Sequence, residues 1–264
     1  MNVGIIPARF ASTRLMGKPL ADIGGKPMIQ HTYESSLKSK LLHEVIIATD
    51  DEKIAQVCRG FGARVIETPK DIATGSDRIA YVAKNLPLAD IVVNIQGDEP
   101  FIQGRMIDEA IEPLFFDRSV NVSTLAKKIT SIEELNSPSI PKVVFDYHNF
   151  ALYFSRSAIP YVRDAHSEIE RITKYDIFKH VGLYVYRRDA LLRFTTLPPT
   201  DLEQIEKLEQ LRMLENGFKI KIVVTELESL SVDTPEDLER ARFYYNRLQQ
   251  EDAEGTGNFD HDIY

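Results

Sequence analysis

The stretch Ile5-Ile6-Pro7-Ala8-Arg9-Phe10-Ala11-Ser12-Thr13-Arg14-Leu15-Met16-Gly17-Lys18-Pro19-Leu20 sets three cations, two hydroxyls and a glycine directly behind a short apolar run. A loop of that content leaving a strand suits a polyphosphate, because backbone N–H groups cup the oxygens while Arg and Lys neutralise charge. It is neither a Walker P-loop nor a dinucleotide fingerprint. A solvated basic turn is the plainer explanation. Ser12 and Thr13 between the two arginines, with Gly17-Lys18-Pro19 behind them, favour phosphate.

Gln96-Gly97-Asp98-Glu99-Pro100 lies just past the apolar run 90–95. Ligands of open α/β sheets bind beyond the carboxyl ends of strands. Gly97 permits close backbone approach and Asp98 offers a hard oxygen, the ligand type Mg²⁺ takes together with substrate phosphates. An acidic turn into a helix is the competing explanation. A second carboxylate is then needed, and Asp233 is the candidate. Thr234-Pro235-Glu236-Asp237 reads as a helix start with a Thr cap, Pro and first-turn acids, which accounts for Glu236 and Asp237 but not for the residue before the cap.

Thr74-Gly75-Ser76-Asp77-Arg78 is a second glycine loop opening a helix, suited to a base, ribose or phosphate, although an N-cap by Ser76 explains much of it. Arg156 emerges from the aromatic strand Ala151–Ser155, where a bidentate fork suits a carboxylate or a structural ion pair. His180 and Tyr184 stand two register steps apart on one strand face. The run Glu206-Lys207-Leu208-Glu209-Gln210-Leu211-Arg212 reads as a charged helix face with ordinary i,i+3 and i,i+4 pairing.

These residues need a scaffold. Short apolar runs alternate with amphipathic segments, the pattern of a mostly parallel, Rossmann-like α/β sheet with helices on both faces. Strands are expected over Val3–Ile6, Glu44–Ala48, Arg64–Ile66 and 90–95, with helices over 28–41, 51–61 and 76–84. Asp50-Asp51-Glu52 reads as acids at a helix start. From Asn121 to about 187 a smaller strand-rich section follows. It holds strands 122–127, 142–146, 151–155 and 181–186, a turn at Asp146-Tyr147-His148-Asn149 and a polar loop over 164–176. A strong helix over 201–216, a strand over 219–224 and a final helix over 235–250 complete one domain, 1–250. The acidic tail 251–264 is expected to be disordered.

The chain of 264 residues carries a formal net charge of −8, which argues against nonspecific nucleic-acid binding and makes local basic clusters stand out. No apolar run is long enough to cross a bilayer and no signal peptide precedes the first strand, so a cytoplasmic protein without membrane partners is expected. The single cysteine, Cys58, reads as a packing residue.

Taken in order, IPARFASTRLMGKPL, ATD, TGSDR, NIQGDEP, ALYFSRSAIP, KHVGLYVY, LEQIEKLEQLR and VDTPEDL resemble the 3-deoxy-manno-octulosonate cytidylyltransferases (CMP-Kdo synthetases), from about Val3 to Leu238. The first loop and DTPEDL are shared with other sugar nucleotidyltransferases, whereas ALYFSR and EKLEQLR single out this family. The resemblance implies attack of the C2 hydroxyl of an eight-carbon sugar acid on the α-phosphorus of CTP, giving a CMP-sugar and pyrophosphate for lipopolysaccharide synthesis. It implies a nucleotide set of Pro7, Ala8, Arg9, Arg14, Lys18, Thr74, Ser76, Arg78 and Gln96. Lys18 also stabilises charge at the α-phosphate, and Asp98 and Asp233 hold the cofactor Mg²⁺. The implied sugar set is Gln96, Arg156 on the carboxylate, and His180, Tyr184, Glu209 and Gln210 on hydroxyls. Family members are typically homodimers, and the resemblance makes the strand-rich section, about 121–187, the expected sugar-binding and dimerisation section.

One position departs from the family: Ile72 stands where His is common, ahead of Thr74. Ser76 for Thr and Asp77 for Glu are milder changes. The Ile leaves open the same reaction on the 8-amino analogue of the sugar. A sialic-acid-type cytidylyltransferase and a non-catalytic nucleotide-binding module are the remaining alternatives. ALYFSR and EKLEQLR argue against the first, and the paired aspartates with Lys18 against the second.

Overall fold

The computed structural model describes residues 1–10 and 15–253. Arg14 and the tail from residue 254 lie outside the described residues. The fold is mixed α/β with a mostly parallel sheet flanked by helices. By contacts the chain divides into two compact units.

The first unit comprises Met1–Ala89, Asn94–Ile107 and the chain from Glu228. Its strands Asn2–Ala8, Glu44–Thr49 and Arg64–Glu67 run parallel, with Ile5 opposite Ile46 and Ile47 opposite Val65. Ile5, Ile6, Ile46 and Ile47 are wholly buried, so the strands read as continuous apolar runs rather than alternating ones. Helices Met28–Ser36, Glu52–Gly60 and Gly75–Lys84 cover them. Asp51 alone caps the second helix, accepting from Ile54 N at 3.0 Å. Asp50, expected to share that task, instead pairs with Arg78. Thr74 rather than Ser76 caps the third, its hydroxyl accepting from Asp77 N at 3.1 Å while Ser76 is buried inside the helix. The final helix runs Pro235–Ala253, so residues 251–253, expected as tail, are helical.

The second unit comprises Asp90–Val93 and Asp108–Leu227. Strand Val122–Lys128 pairs antiparallel with Phe178–Arg187 and parallel with Ile220–Val224. Lys142–Phe145 and Ala151–Ser155 form the expected hairpin, with Asn149 left-handed at its turn (φ 58°). The polar stretch expected as a loop over 164–176 instead holds the helix Glu168–Lys174. Ser167 caps it from Glu170 N at 3.2 Å, and Ile172 buries against Ile129, Leu135 and Ile177. The single helix expected over 201–216 is two, Asp201–Glu206 and Gln210–Glu215, broken at Lys207 in the left-handed region (φ 54°).

That break has a tertiary cause. Helix ends leave carbonyls without intrahelical donors, and the Arg156 guanidinium takes two of them, Glu206 O at 2.6 Å and Lys207 O at 3.2 Å. The charges expected on a solvated face are likewise engaged elsewhere in the unit. Arg212 forks onto the Glu203 carboxylate at 2.8 and 2.5 Å, and Glu206 accepts from Ser155 Oγ at 2.7 Å.

Candidate active site

Strand Asn2–Ala8 ends at Pro7 and Ala8, and the basic loop leaves from Arg9. Gly17 is left-handed (φ 67°) and starts the 3₁₀ turn Lys18–Leu20, a conformation glycine adopts without a Cβ penalty. Gly17 N donates to Phe10 O at 3.2 Å, closing the loop at its base. Lys18 is thereby held at a turn of fixed geometry. On the other side, strand Ile91–Asn94 leads into the turn Gln96–Glu99, closed by Glu99 N on Gln96 O at 3.2 Å. A Cβ on Gly97 would sit 3.1 Å from Pro7 O, so the close passage of this turn over the first strand depends on a residue without a side chain.

Lys18 Nζ lies 2.7 Å from Asp98 Oδ2 and 2.8 Å from Asp233 Oδ1. Its side chain is 12% exposed, against 28% for Asp98 and 42% for Asp233. Burial lowers the Lys18 pKa, but the two carboxylates more than offset it and hold the ammonium above its ordinary value. Asp233 is fixed from its own side, where Asp237 accepts both Asp233 N at 3.1 Å and Thr234 N at 3.0 Å. The first-turn acid therefore both caps the helix and positions the residue before it.

Two carboxylate oxygens meeting at one cationic atom are within reach of one small hard cation, and the donor set, oxygen alone, fits Mg²⁺ completed by phosphate oxygens. Among the described residues no three or more His, Cys, Asp or Glu side chains cluster as a metal site.

Arg9 Nη2 donates to Ile72 O at 2.6 Å, tying the first loop to the segment ahead of Thr74. Arg78 is wholly buried, with Nη2 3.2 Å from Asp50 Oδ2, Nη1 bonded to the Thr68 hydroxyl and Nε lacking a hydrogen-bond partner. Burial lowers its pKa against the pull of Asp50, and the charge of Arg9 adds to the lowering. Thr74 donates to Asp77 Oδ2 at 2.9 Å, and Gln96 is partly buried in its turn.

In the second unit a bulge interrupts strand Phe178–Arg187 between Val181 and Tyr184, replacing the regular register expected there. Thr124 fills it, donating to Leu183 O at 2.8 Å and meeting His180 Nε2 at 2.9 Å. The His180 and Tyr184 rings still lie 5.3 Å apart. Burial pushes the His180 pKa down to about 3 and the Tyr184 phenol well above its ordinary value. The Tyr184 hydroxyl is buried with Thr124 as its neighbour. Glu209 immediately precedes the helix Gln210–Glu215, in which Gln210 is buried. Besides the two helix-end carbonyls, Arg156 donates to Pro138 O at 2.7 Å, so each of its three nitrogens meets a main-chain carbonyl.

The cytidylyltransferase family profile matches residues 3–222. A 3-deoxy-manno-octulosonate cytidylyltransferase of Geobacter sulfurreducens is 53% identical over 91% of this chain and 98% of its own. The protein of the same name from Solibacter usitatus is 52% identical over 97% and 98%. The chain belongs to this cytidylyltransferase family. Among solved structures, CMP:2-keto-3-deoxy-manno-octonic acid synthetase complexed with CTP shares 42% identity and a TM-score of 0.86, over 94% of this chain and 99% of that one. A cytidylyltransferase from Leptospira borgpetersenii, 18% identical with a TM-score of 0.60 over 100% and 99%, shares the fold.

Several residues of this cytidylyltransferase escaped the reading of its sequence. Asp50, quoted in the ATD run and expected only as an acid at a helix start, and Thr68, which carries no motif, together hold Arg78. Thr124 could have been sought from Gly182, since glycine inside a strand often marks a bulge. Glu99 stands inside the quoted NIQGDEP run yet had no role assigned. It accepts the Ser229 hydroxyl, and its pKa is pushed up to about 7 by burial, with Asp98 and Asp233 adding to the rise. Cys58 is buried and its thiol pushed up to about 12, which makes it inert.

Proposed function

We propose that this cytidylyltransferase activates 3-deoxy-manno-octulosonate with CTP, releasing pyrophosphate. The observation that carries the reading is the meeting of Asp98 and Asp233 at the Lys18 ammonium. The sugar C2 oxygen forms a bond to the α-phosphorus, the bond to the pyrophosphate oxygen breaks, and the hydroxyl proton is lost. Such a displacement calls for positioning and charge stabilisation. Arg9, Arg14 and Lys18 bind the triphosphate. Pro7, Ala8, Thr74, Ser76, Arg78 and Gln96 line the nucleotide, although burial of Arg78 favours a role behind the site. Asp98 and Asp233 hold Mg²⁺, which when bound shields phosphate charge and makes the sugar hydroxyl a better nucleophile.

On the sugar side, Arg156 takes the carboxylate with the N–H groups left beyond its carbonyl contacts. His180, Tyr184, Glu209 and Gln210 take hydroxyls. The enzyme works as a homodimer in the cytoplasm. No helix among the described residues is long and apolar enough to cross a membrane. The relatives carry the name of the unmodified sugar, and nothing in the geometry favours the 8-amino analogue. Pyrophosphate release with CTP and Mg²⁺, measured side by side on the 8-hydroxy and 8-amino sugars, tests the assignment. No release with either sugar refutes it.

A further inference from the structure

Asp233 comes from a stretch with no regular secondary structure, residues 225–233, so something other than a helix or strand ladder must fix where its carboxylate stands. Burial of Leu230 and Val232 against Ile23, Met28, Leu238 and Ala241 sets the depth of that stretch. Apolar packing is non-directional and leaves its slide and rotation open. Hydrogen bonds to the segment carrying Asp98 supply the direction. Val232 N donates to Asp98 O at 2.9 Å, Gln103 Nε2 donates to Glu228 O at 3.2 Å, and the Ser229 hydroxyl donates to the Glu99 carboxylate. The last is a side-chain tie one residue from Asp98 and four from Asp233. Glu99 is a third carboxylate facing the charges of those two aspartates, yet it makes its bond to Ser229 rather than to Lys18.

We infer that Glu99 and Ser229 form a strut that sets the separation of Asp98 and Asp233, with Glu99 a positioning residue rather than a metal ligand. The inference rests on the metal reading above only for what the strut serves. The strut needs an acceptor at position 99 and a hydroxyl at 229, not a negative charge. Glu99→Gln keeps the acceptor, Glu99→Ala removes it, and Ser229→Ala removes the donor without touching the acidic cluster.

The test uses the full chain with two readouts. Mn²⁺ uptake is followed by calorimetry with CTP present and no sugar, so that no turnover enters. Thermal unfolding is followed without metal. Glu99→Ala and Ser229→Ala should each weaken Mn²⁺ uptake roughly 10-fold, the size seen when outer partners of metal ligands are removed. The double variant should be no worse than either single one, and Glu99→Gln should stay close to wild type. The unfolding losses should be non-additive in the same way. Wild-type uptake in Ser229→Ala overturns the strut, as does a Glu99→Gln variant as weak as Glu99→Ala, which would assign Glu99 a charge-based role. If the wild-type protein takes up no Mn²⁺, the metal reading falls by itself. The strut then stands on non-additive unfolding losses and falls on additive ones.

Discussion

Lys18 and Arg156 are cations of different units, and they are held in opposite ways. Lys18 meets two side-chain carboxylates, themselves partly exposed. Arg156 meets the main-chain carbonyls of Pro138, Glu206 and Lys207, and beside it the wholly buried Lys142 donates to Ser137 O at 2.7 Å and Ile140 O at 2.8 Å. The difference concerns what a ligand can displace. Phosphates and a metal can replace the partners of the lysine triad, because each freed group can turn to the ligand or to water. Opening the carbonyl cage takes donors from the part-buried backbone acceptors Ser137 O, Ile140 O and Glu206 O. The first arrangement suits chemistry, and the second suits holding a kinked segment in place.

The sharpest way to break that contrast is to neutralise the triad. Asp98→Asn and Asp233→Asn should each lower kcat by roughly 10²–10³ or more, the scale of losing a group that stabilises transition-state charge. Lys18 keeps one carboxylate partner in either variant and the aspartates are partly exposed, so Tm should fall only slightly and circular dichroism should stay unchanged. Steady-state kinetics beside a melting curve decide it, and full activity in either variant refutes the metal assignment.

Arg156→Ala should behave differently by moving both readouts. The sugar KM should rise about 10-fold with the KM for CTP unchanged. The unfolding free energy should also fall by about 0.5–1.5 kcal/mol, the net contribution of a typical hydrogen bond, because Pro138 O and Lys207 O are exposed and turn to water. An unchanged sugar KM with the same stability loss would make Arg156 wholly structural and place the carboxylate site elsewhere. Lys142→Met sharpens the point from the structural side, with a comparable stability loss and no effect on the KM for CTP, read by denaturant melts and initial rates.

The same contrast explains what could be read from the residues in advance. The first strand, the parallel ladder and the capped final helix follow from local apolar runs and the Thr234-Pro235 start, so they were legible. The lysine triad was legible in part, because Asp233 precedes its cap and needs another reason to be acidic. The break at Lys207 was not. No glycine or asparagine marks the left-handed residue, and its cause is a guanidinium from a distant strand. The helix Glu168–Lys174 carried its signal in Ser167-Glu168-Ile169-Glu170, a capping pattern masked by the surrounding polarity. Local chemistry announces itself in sequence, whereas side chains serving distant backbone do not.

The smallest effect is one of pH, and it separates the units again. His180 has a folded pKa of about 3 against an ordinary value near 6.5. Between those values the unfolded chain binds the proton and the folded one does not, so stability rises with pH from about 3 to about 6.5 and is flat above. Acidification from pH 7 to pH 5 should therefore lower the Tm of the wild-type protein more than that of His180→Gln, the carboxylates contributing equally to both. The ring stays neutral from pH 5 to 9, so kcat/KM over that range should show no limb that His180→Gln removes. A limb that vanishes in the variant would mean that the imidazole charges in the working enzyme, and the bulge filled by Thr124 would have to open to water to allow it.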